Sequence, residues 1–537
     1  MIRKISFLVV LMSGWAFSQP TKEPAQPGKF EPSWESLKQY RTPDWFRDAK
    51  FGIWAHWGPQ CQPEEGDWYG RFMYVEGSPQ YQAHLAKYGH PSRAGFKEVI
   101  KDWKAEAWDP EKLVKLYKKS GARYFFAMGN HHDNLDLWDS RYQEWNSVAV
   151  GPQQNILAGW ARAARNNGLP FGVSIHAAHA WLWYETAQKA DSAGPYAGVP
   201  YDGKLTGADG RGLWWEGLDP QNLYVQNHPL SSGSEDIRSL WYQWDWENGA
   251  APPSREFVLN FYNRTMDMIN RYQPDLIYFD DTTLPFWPVS EIGLELAAHY
   301  YNKNMLLNDG SLEAVLFGKK LSEAQKACLV WDVERGAAPE IQELPWQTCT
   351  CIGAWHYDRH IYEDGRYKSA PTVIRMLADI VSKNGNLLLS IPMRGNGTID
   401  EKEVAILEGI GEWLAVNGAC IYETRPWRVY GEGPRVENAA AQKGQGFDEG
   451  QGEVYTSRDI RFTRKGDVLY AIVMAWPEDG EVIIRSLSAK NDNVRGVEWL
   501  GGRVAGYSFR EDGLYVQLPK DAQTDMPLVL KIDGKTD

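Results

Sequence analysis

The stretch Asp275-Leu276-Ile277-Tyr278-Phe279-Asp280-Asp281 decides the fold. Four apolar residues are too few for a helix and suit a strand buried on both faces of a parallel sheet. A helical pattern from Ser254 to Arg271 precedes them, and two carboxylates follow at once. Helix, short apolar strand, then a chemically able side chain is the order of a βα unit whose strand points at a site.

The same order recurs on both sides. Phe51-Gly52-Ile53-Trp54-Ala55 leads to His56. A helical pattern over Pro110 to Ser120 leads through Gly121 to Arg123-Tyr124-Phe125-Phe126-Ala127, and then to Asn130-His131-His132-Asp133. Another, over Ile156 to Asn167, leads through Gly168 to Pro170-Phe171-Gly172-Val173-Ser174 and then His176. Met305-Leu306-Leu307, Ala327-Cys328-Leu329-Val330-Trp331 (with Asp332 and Glu334 beyond) and Asn386-Leu387-Leu388-Leu389-Ser390 extend the series. Seven or eight such units predict an α/β fold, a (β/α)8-like barrel over residues 35–423, with polar residues gathered at the C-terminal ends of its strands. A helix over Glu401 to Val416 would close it.

From residue 424 the pattern changes to short strands with turns between them. They are Asp459–Thr463, Val468–Val473, Gly480–Ile484, Leu514–Leu518 and Leu528–Ile532. These predict a small C-terminal antiparallel β-sandwich over residues 424–537. Two long insertions, 190–235 and 240–253, interrupt the barrel pattern and hold Trp214-Trp215 and Trp241-Tyr242-Gln243-Trp244-Asp245-Trp246. Loops of that length suggest function, here a substrate wall.

At the N-terminus, Arg3 and Lys4, an apolar run from Ile5 to Trp15 and Ala16-Phe17-Ser18 have the order of an export signal cleaved after Ser18. The expected location is periplasmic or extracellular, and residues 19–34 are expected to be a flexible lead-in. No other run is long and apolar enough to span a bilayer, so no membrane partner is expected. The net charge of −13 argues against nucleic acid, whose binding needs clustered Lys and Arg. Five cysteines with no CxxC pair support neither a zinc site nor a redox motif, and suit buried small hydrophobes. No heptad repeat suggests a coiled-coil oligomer. The 26 Trp and 27 Tyr favour a carbohydrate cleft, because aromatic faces stack on the C–H faces of sugar rings.

Retaining glycoside hydrolysis needs two carboxyl groups about 5 to 5.5 Å apart, one nucleophile and one acid/base. On a barrel the two come from the ends of different strands, and Asp280 and Glu334, each just beyond a strand candidate, satisfy that logic. Three histidines at strand ends, His56, His131 and His132, suit a polyol.

Several segments carry a family resemblance. Pro43-Asp44-Trp45-Phe46-Arg47-Asp48-Ala49-Lys50-Phe51-Gly52-Ile53 running into His56-Trp57-Gly58-Pro59 resembles the opening of glycoside hydrolase family 29, the α-L-fucosidases. Gly66-Asp67-Trp68-Tyr69, His131-His132-Asp133, Tyr272–Asp280 and Val381–Leu389 are similar to further segments of that family, in order across residues 35–420. The resemblance implies a retaining exo-α-L-fucosidase with Asp280 as nucleophile and Glu334 as acid/base. Glu340 and Glu343 are the alternatives for the second role. It implies sugar contacts from His56, Asp67, Trp68, His131, His132 and Trp355, with His176 a further candidate. Asp67 stands where the family usually has Glu, and Ser174-Ile175-His176 where it commonly has Tyr-Tyr-Ser. No cofactor and no metal are required. Two other readings stay open at this stage. One is an α-L-galactosidase acting on algal-type glycans, and the other is a carbohydrate-binding protein on an inactive hydrolase scaffold.

Overall fold

The structure is a computed structural model that describes residues 21–235, 241–437, 454–519 and 523–536. The proposed export signal ending at Ser18 lies outside the described residues. Eight parallel strands form a closed barrel in chain order: β1 (Phe51–Ala55), β2 (Tyr124–Asn130), β3 (Phe171–Ile175), β4 (Leu276–Phe279), β5 (Val315–Gly318), β6 (Val330–Glu334), β7 (Trp346–Cys351) and β8 (Gly385–Ser390). Ring closure comes from β8 pairing with β1, Leu387 to Leu389 against Phe51 to Ile53. β1, β2, β3, β4, β5, β7 and β8 are buried throughout, as strands covered on both faces must be; β7, Trp346-Gln347-Thr348-Cys349-Thr350-Cys351, buries Gln347, Thr348 and Thr350 and has no apolar run.

The ring closes tightly because two strands carry glycine where a neighbour's ring crosses. A Cβ at Gly52 would stand 2.2 Å from the Tyr124 ring, and one at Gly172 2.6 Å from the Phe126 ring. Tyr124 then reaches across the interior to Gln347 Oε1 at 3.0 Å.

Two expectations need correction. Met305-Leu306-Leu307 is not a strand. It ends a helix, Ile292–Leu307, and Leu306 and Leu307 are exposed there. The strand of that unit is Val315–Gly318, eight residues further on. Residues 21–34 are not a flexible lead-in either. Gln26 N donates to His299 Nδ1 (2.9 Å) and Phe30 N to Asn302 Oδ1 (2.9 Å), so the segment lies along that same helix. Phe30 is buried against Tyr301, which offsets the entropy of ordering it.

The C-terminal unit has two antiparallel sheets. One is ordered β13-β16-β11-β10-β9 and the other β12-β15-β14. The strands are β9 (Arg425–Glu432), β10 (Ile460–Lys465), β11 (Val468–Val473), β12 (Glu481–Ile484), β13 (Asn493–Trp499), β14 (Gly506–Arg510), β15 (Gly513–Gln517) and β16 (Leu528–Lys535). Alternation along β11 explains how this unit docks. Leu469, Ala471 and Val473 enter the core between the two sheets, whereas Tyr470 and Ile472 face the barrel core. Arg461 on β10 donates to Asp379 Oδ1 (2.6 Å), and Lys383 donates to Oδ2 (2.8 Å), which ties the sandwich to the helix Ala370–Ser382 that precedes β8. Trp427 and Trp499 are buried within the sandwich core.

Candidate active site

Polar side chains gather where the barrel strands end. His56 follows β1, His131 and His132 follow β2, His176 follows β3, Asp280 follows β4 and Lys319 follows β5. Glu334 is the last residue of β6, and Trp355 and His356 lie just beyond β7. Local backbone devices aim them. The β2–β3 register shifts between Met128 and Asn130, a bulge that turns the chain so that His131 and His132 come in together. Asn130 locks this corner. Its Oδ1 accepts from His176 N (3.1 Å) and Ala177 N (3.2 Å), while its Nδ2 donates to Asp136 Oδ1 (2.8 Å). Asp280 N donates to Ile175 O (3.1 Å), continuing the ladder one residue beyond β4.

The Asp280 carboxylate is the centre of the cluster. His132 Nε2 stands 3.0 Å from Oδ2 and His176 Nδ1 3.2 Å from it, and Lys319 Nζ donates to Oδ1. The same Lys319 Nζ donates to Glu334 Oε2 at 2.6 Å. Burial would raise Asp280, but Lys319, then His176 and His132, outweigh it and hold the carboxyl well below its usual range. Glu334 moves the other way. Burial raises it, the Asp280 charge reinforces that, and Lys319 only partly opposes. Two carboxyls pushed apart in pKa are what acid and nucleophile roles require.

Asp281, next in the chain, has a different task. It accepts from Thr282 N (2.6 Å), Phe286 N (3.2 Å) and Trp246 Nε1 (3.3 Å), so it is consumed in shaping the loop after β4. Glu340 and Glu343 are exposed on the connection between β6 and β7, away from this cluster, and their backbone carbonyls accept from Gln342 Nε2 (3.0 Å) and Asn384 Nδ2 (3.2 Å).

The histidines form one body. His56 packs against His131, His176 and His356 with ring centroids 5.2, 5.3 and 4.8 Å away, and against Trp355 at 5.4 Å. Burial, with the neighbouring imidazoles, lowers His56 and His131 far below the usual histidine range, so both are neutral. Burial also lowers His176, to about 4, against the pull of Asp280. Gln60 fixes the His131 tautomer. Its Oε1 accepts from Gly70 N (3.4 Å) and its Nε2 donates to His131 Nδ1 (2.6 Å), which puts the ring hydrogen on Nε2. His132 Nδ1 faces the His176 carbonyl at 2.9 Å, so with Asp280 at Nε2 both of its nitrogens meet acceptors.

Ring nitrogens of His56, His131 and His356, and of His131, His132 and His176, lie within 4.8 Å of one another. A metal would need a lone pair from each ring. His131 Nε2 carries a hydrogen and His132 Nε2 addresses Asp280, so these sets suit hydroxyl groups better than an ion. Both ring nitrogens of His56 are buried without a partner among the described residues, a costly condition that a polyol relieves.

Asp67 and Trp68 come from the loop after β1. Asp67 Oδ1 accepts from His356 N (2.7 Å) and lies 3.5 Å from His356 Nδ1, so the shorter carboxylate is spent on holding His356. Trp68 is half-buried, with φ of 59° at the start of a short helix. The insertion tryptophans divide. Trp215 and Trp246 are core, Trp214 is exposed, and Trp244 lies half-buried beside His179 and His132 at 5.0 and 6.0 Å. Lys319, His356 and Gln60 are site residues that the sequence reading missed, and Asn130 was read only as a strand-end residue. The Val315–Gly318 run before Lys319 was the available sign. A cavity of about 320 Å³ lined by Arg464, Asp467, Asn493 and Arg495 belongs to the sandwich and shares no residue with this cluster.

The family model for Alpha-L-fucosidase matches residues 17–419, and that for the Alpha-L-fucosidase C-terminal domain matches residues 451–533. Human tissue alpha-L-fucosidase is 24% identical over 535 residues, covering 97% of this chain and 94% of its own length. The Thermotoga maritima alpha-fucosidase superposes with a TM-score of 0.68 in complex with a mechanism-based inhibitor and 0.66 in complex with fucose. Identities are 24% and 25%, and each match covers 94% of this chain and 100% of the other. The chain belongs to the alpha-L-fucosidase family, glycoside hydrolase family 29, and its substrate is a carbohydrate.

Proposed function

We propose that this enzyme releases terminal α-L-fucose from glycans with retention of configuration, through a covalent glycosyl-enzyme intermediate. Asp280 is the nucleophile and Glu334 the acid/base. The observation that carries this reading is the shared ammonium. Two carboxylate oxygens hydrogen-bonded to one nitrogen lie at most about 6 Å apart. That suits the roughly 5 to 5.5 Å of a retaining pair and falls short of the ~6.5 to 9.5 Å that an inverting pair needs to seat a water.

In the first step an Asp280 oxygen attacks the anomeric carbon while Glu334 protonates the departing oxygen. In the second, Glu334 takes a proton from the water that cleaves the ester. His56, His131 and His356, steered by Gln60 and Asp67, are placed to read the sugar hydroxyls beside Trp68 and Trp355. Export, read from residues 3–18, is part of the same proposal.

The test is hydrolysis of 4-nitrophenyl α-L-fucoside by the wild type and by Asp280→Ala and Glu334→Ala. A loss of several orders of magnitude in each, with azide restoring Glu334→Ala as the α-azide (attack on the glycosyl-enzyme, retention) and any rescue of Asp280→Ala giving the β-azide (direct attack, inversion), supports both roles. Rescue of Glu334→Ala as the β-azide, or activity surviving in Asp280→Ala without added azide, would overturn them. Turnover of 4-nitrophenyl α-L-galactoside above the fucoside would move the substrate to L-galactose.

A further inference from the structure

We propose that Lys319 is the fixed counter-charge across which negative charge passes from Asp280 to Glu334 and back in each catalytic cycle. The inference rests on the functional reading above and concerns a residue to which that reading gives no catalytic step.

The geometry is unusual in one respect. Lys319 Nζ donates at once to Asp280 Oδ1 and Glu334 Oε2, and its side chain is only 9% exposed. It stands at the end of β5, between the strands that carry the two carboxyls. Its amide donates to Thr282 O (2.8 Å), which fixes the start of the side chain to the loop after β4, and its ammonium lies over the Tyr278 ring at 5.5 Å. The lysine therefore has little freedom to swing away.

The charges balance through the cycle. At rest Asp280 is anionic, Lys319 cationic and Glu334 protonated, which sums to zero. When an Asp280 oxygen bonds to the anomeric carbon, the glycosidic C–O electron pair goes to the leaving oxygen, which takes the Glu334 proton. Asp280 is then a neutral ester, Glu334 an anion and Lys319 still a cation, and the sum is again zero. Water attack returns the ester's electron pair to Asp280 and a proton to Glu334. The cation stays in place while its principal partner alternates. A buried site without it would have to create or move an unpaired charge in each half-reaction.

Other titratable groups face this pair. His132 and His176 lie on the Asp280 side, Arg335 on the Glu334 side, and Tyr278, Asp332 and Cys349 adjoin Lys319. Burial would lower Lys319, but Asp280 and Glu334 together hold it well above the usual lysine range, so it stays charged in both states.

The test compares Lys319→Met, which keeps bulk and removes charge, with Lys319→Arg, which keeps charge. Lys319→Met should lower kcat by about 100- to 1,000-fold on 4-nitrophenyl α-L-fucoside and equally on the 2,4-dinitrophenyl analogue, which shifts the limiting step towards ester hydrolysis. Both limbs of its kcat/KM pH profile should move up by about one to three pH units, since both carboxyls lose the cation. Lys319→Arg should recover activity to within about tenfold. A folded Lys319→Met whose rate falls with both limbs unmoved makes the lysine merely structural and overturns the proposal, as does a loss confined to one half-reaction. Infrared titration of the carboxyl bands in substrate-free enzyme, assigned with Asp280→Asn and Glu334→Gln, reads the same movement whatever sugar is cleaved. Unmoved bands overturn the role of Lys319, whereas moved bands with a wild type inert on aryl α-L-fucosides overturn the substrate reading instead.

Discussion

Replacing Asn130 by alanine tests how the site is held. The amide accepts from two buried backbone N–H groups, of His176 and Ala177, and donates to Asp136, which is already paired with Arg264 at 2.6 Å. Alanine leaves both donors orphaned. At roughly 1 to 3 kcal/mol each, the cost is about 2 to 6 kcal/mol, less whatever water recovers. The local consequence is larger than the global one. His176 lies against Asp280, and its carbonyl accepts from His132, so freeing this turn loosens both imidazoles that flank the nucleophile. Asn130→Ala should therefore melt lower by several degrees and lose about 100-fold in kcat/KM on an aryl α-L-fucoside, with Asn130→Asp intermediate because it keeps the acceptor and loses the donor. Thermal melting and initial-rate kinetics on the same preparations measure both. A destabilised variant with unchanged kcat/KM would refute the claim that this corner positions the site.

Three further outcomes are expected. Hydrolysis requires Asp280 ionised and Glu334 protonated, so activity should extend well into acid, where Asp280 remains charged. It should fall as pH rises through the raised Glu334 pKa, and a kcat/KM profile from pH 3 to 9 checks this. Glu340→Gln and Glu343→Gln should each stay within about twofold of wild type on 4-nitrophenyl α-L-fucoside, while Glu334→Gln loses at least about 1,000-fold, because the two exposed carboxyls lie away from the cluster. Arg461→Met should destabilise by about 3 kcal/mol, measured by denaturant unfolding, since it strips a partner from buried Asp379. Burial would raise Asp379, but Lys383 and Arg461 hold it well below the usual range. Its contribution is thus present above the unfolded carboxyl pKa of about 4 and lost as pH falls through the folded value, a loss that Arg461→Met should blunt.

The barrel was legible because most of its buried parallel strands are apolar runs that lead into polar site residues; β7, Trp346-Gln347-Thr348-Cys349-Thr350-Cys351, offered no such run. The unit containing β5 misled because Met305, Leu306 and Leu307 form an equally apolar triplet. Only the packed structure reveals that two of them face solvent at a helix end. In the sandwich, β13 and β14 escaped notice for the opposite reason. They are exposed along much of their length and carry no apolar run. Asp280, Glu334, His56, His131, His132 and His176 were visible as strand-end residues. Lys319 was not, since a lysine after a short apolar run looks like any solvated residue until two carboxyls are brought to it from strands that are distant in sequence. Asp67 shows a similar limit. Its identity was readable, but its commitment to His356 depends on a loop meeting another one 289 residues away.

The seam where β8 meets β1 has a consequence for biosynthesis. His56 leaves the ribosome first among the site residues and packs against Trp355 and His356, which leave last. The strand that shuts the ring, ending at Ser390, follows later still. A growing chain therefore holds the nucleophile and most of the imidazoles long before they share a common space, and a fragment ending before β8 has the chemistry without the enclosure. Recovery of catalysis during refolding should coincide with annular closure rather than with the earlier gain of helix, which makes turnover a clock for the final topological event of the barrel.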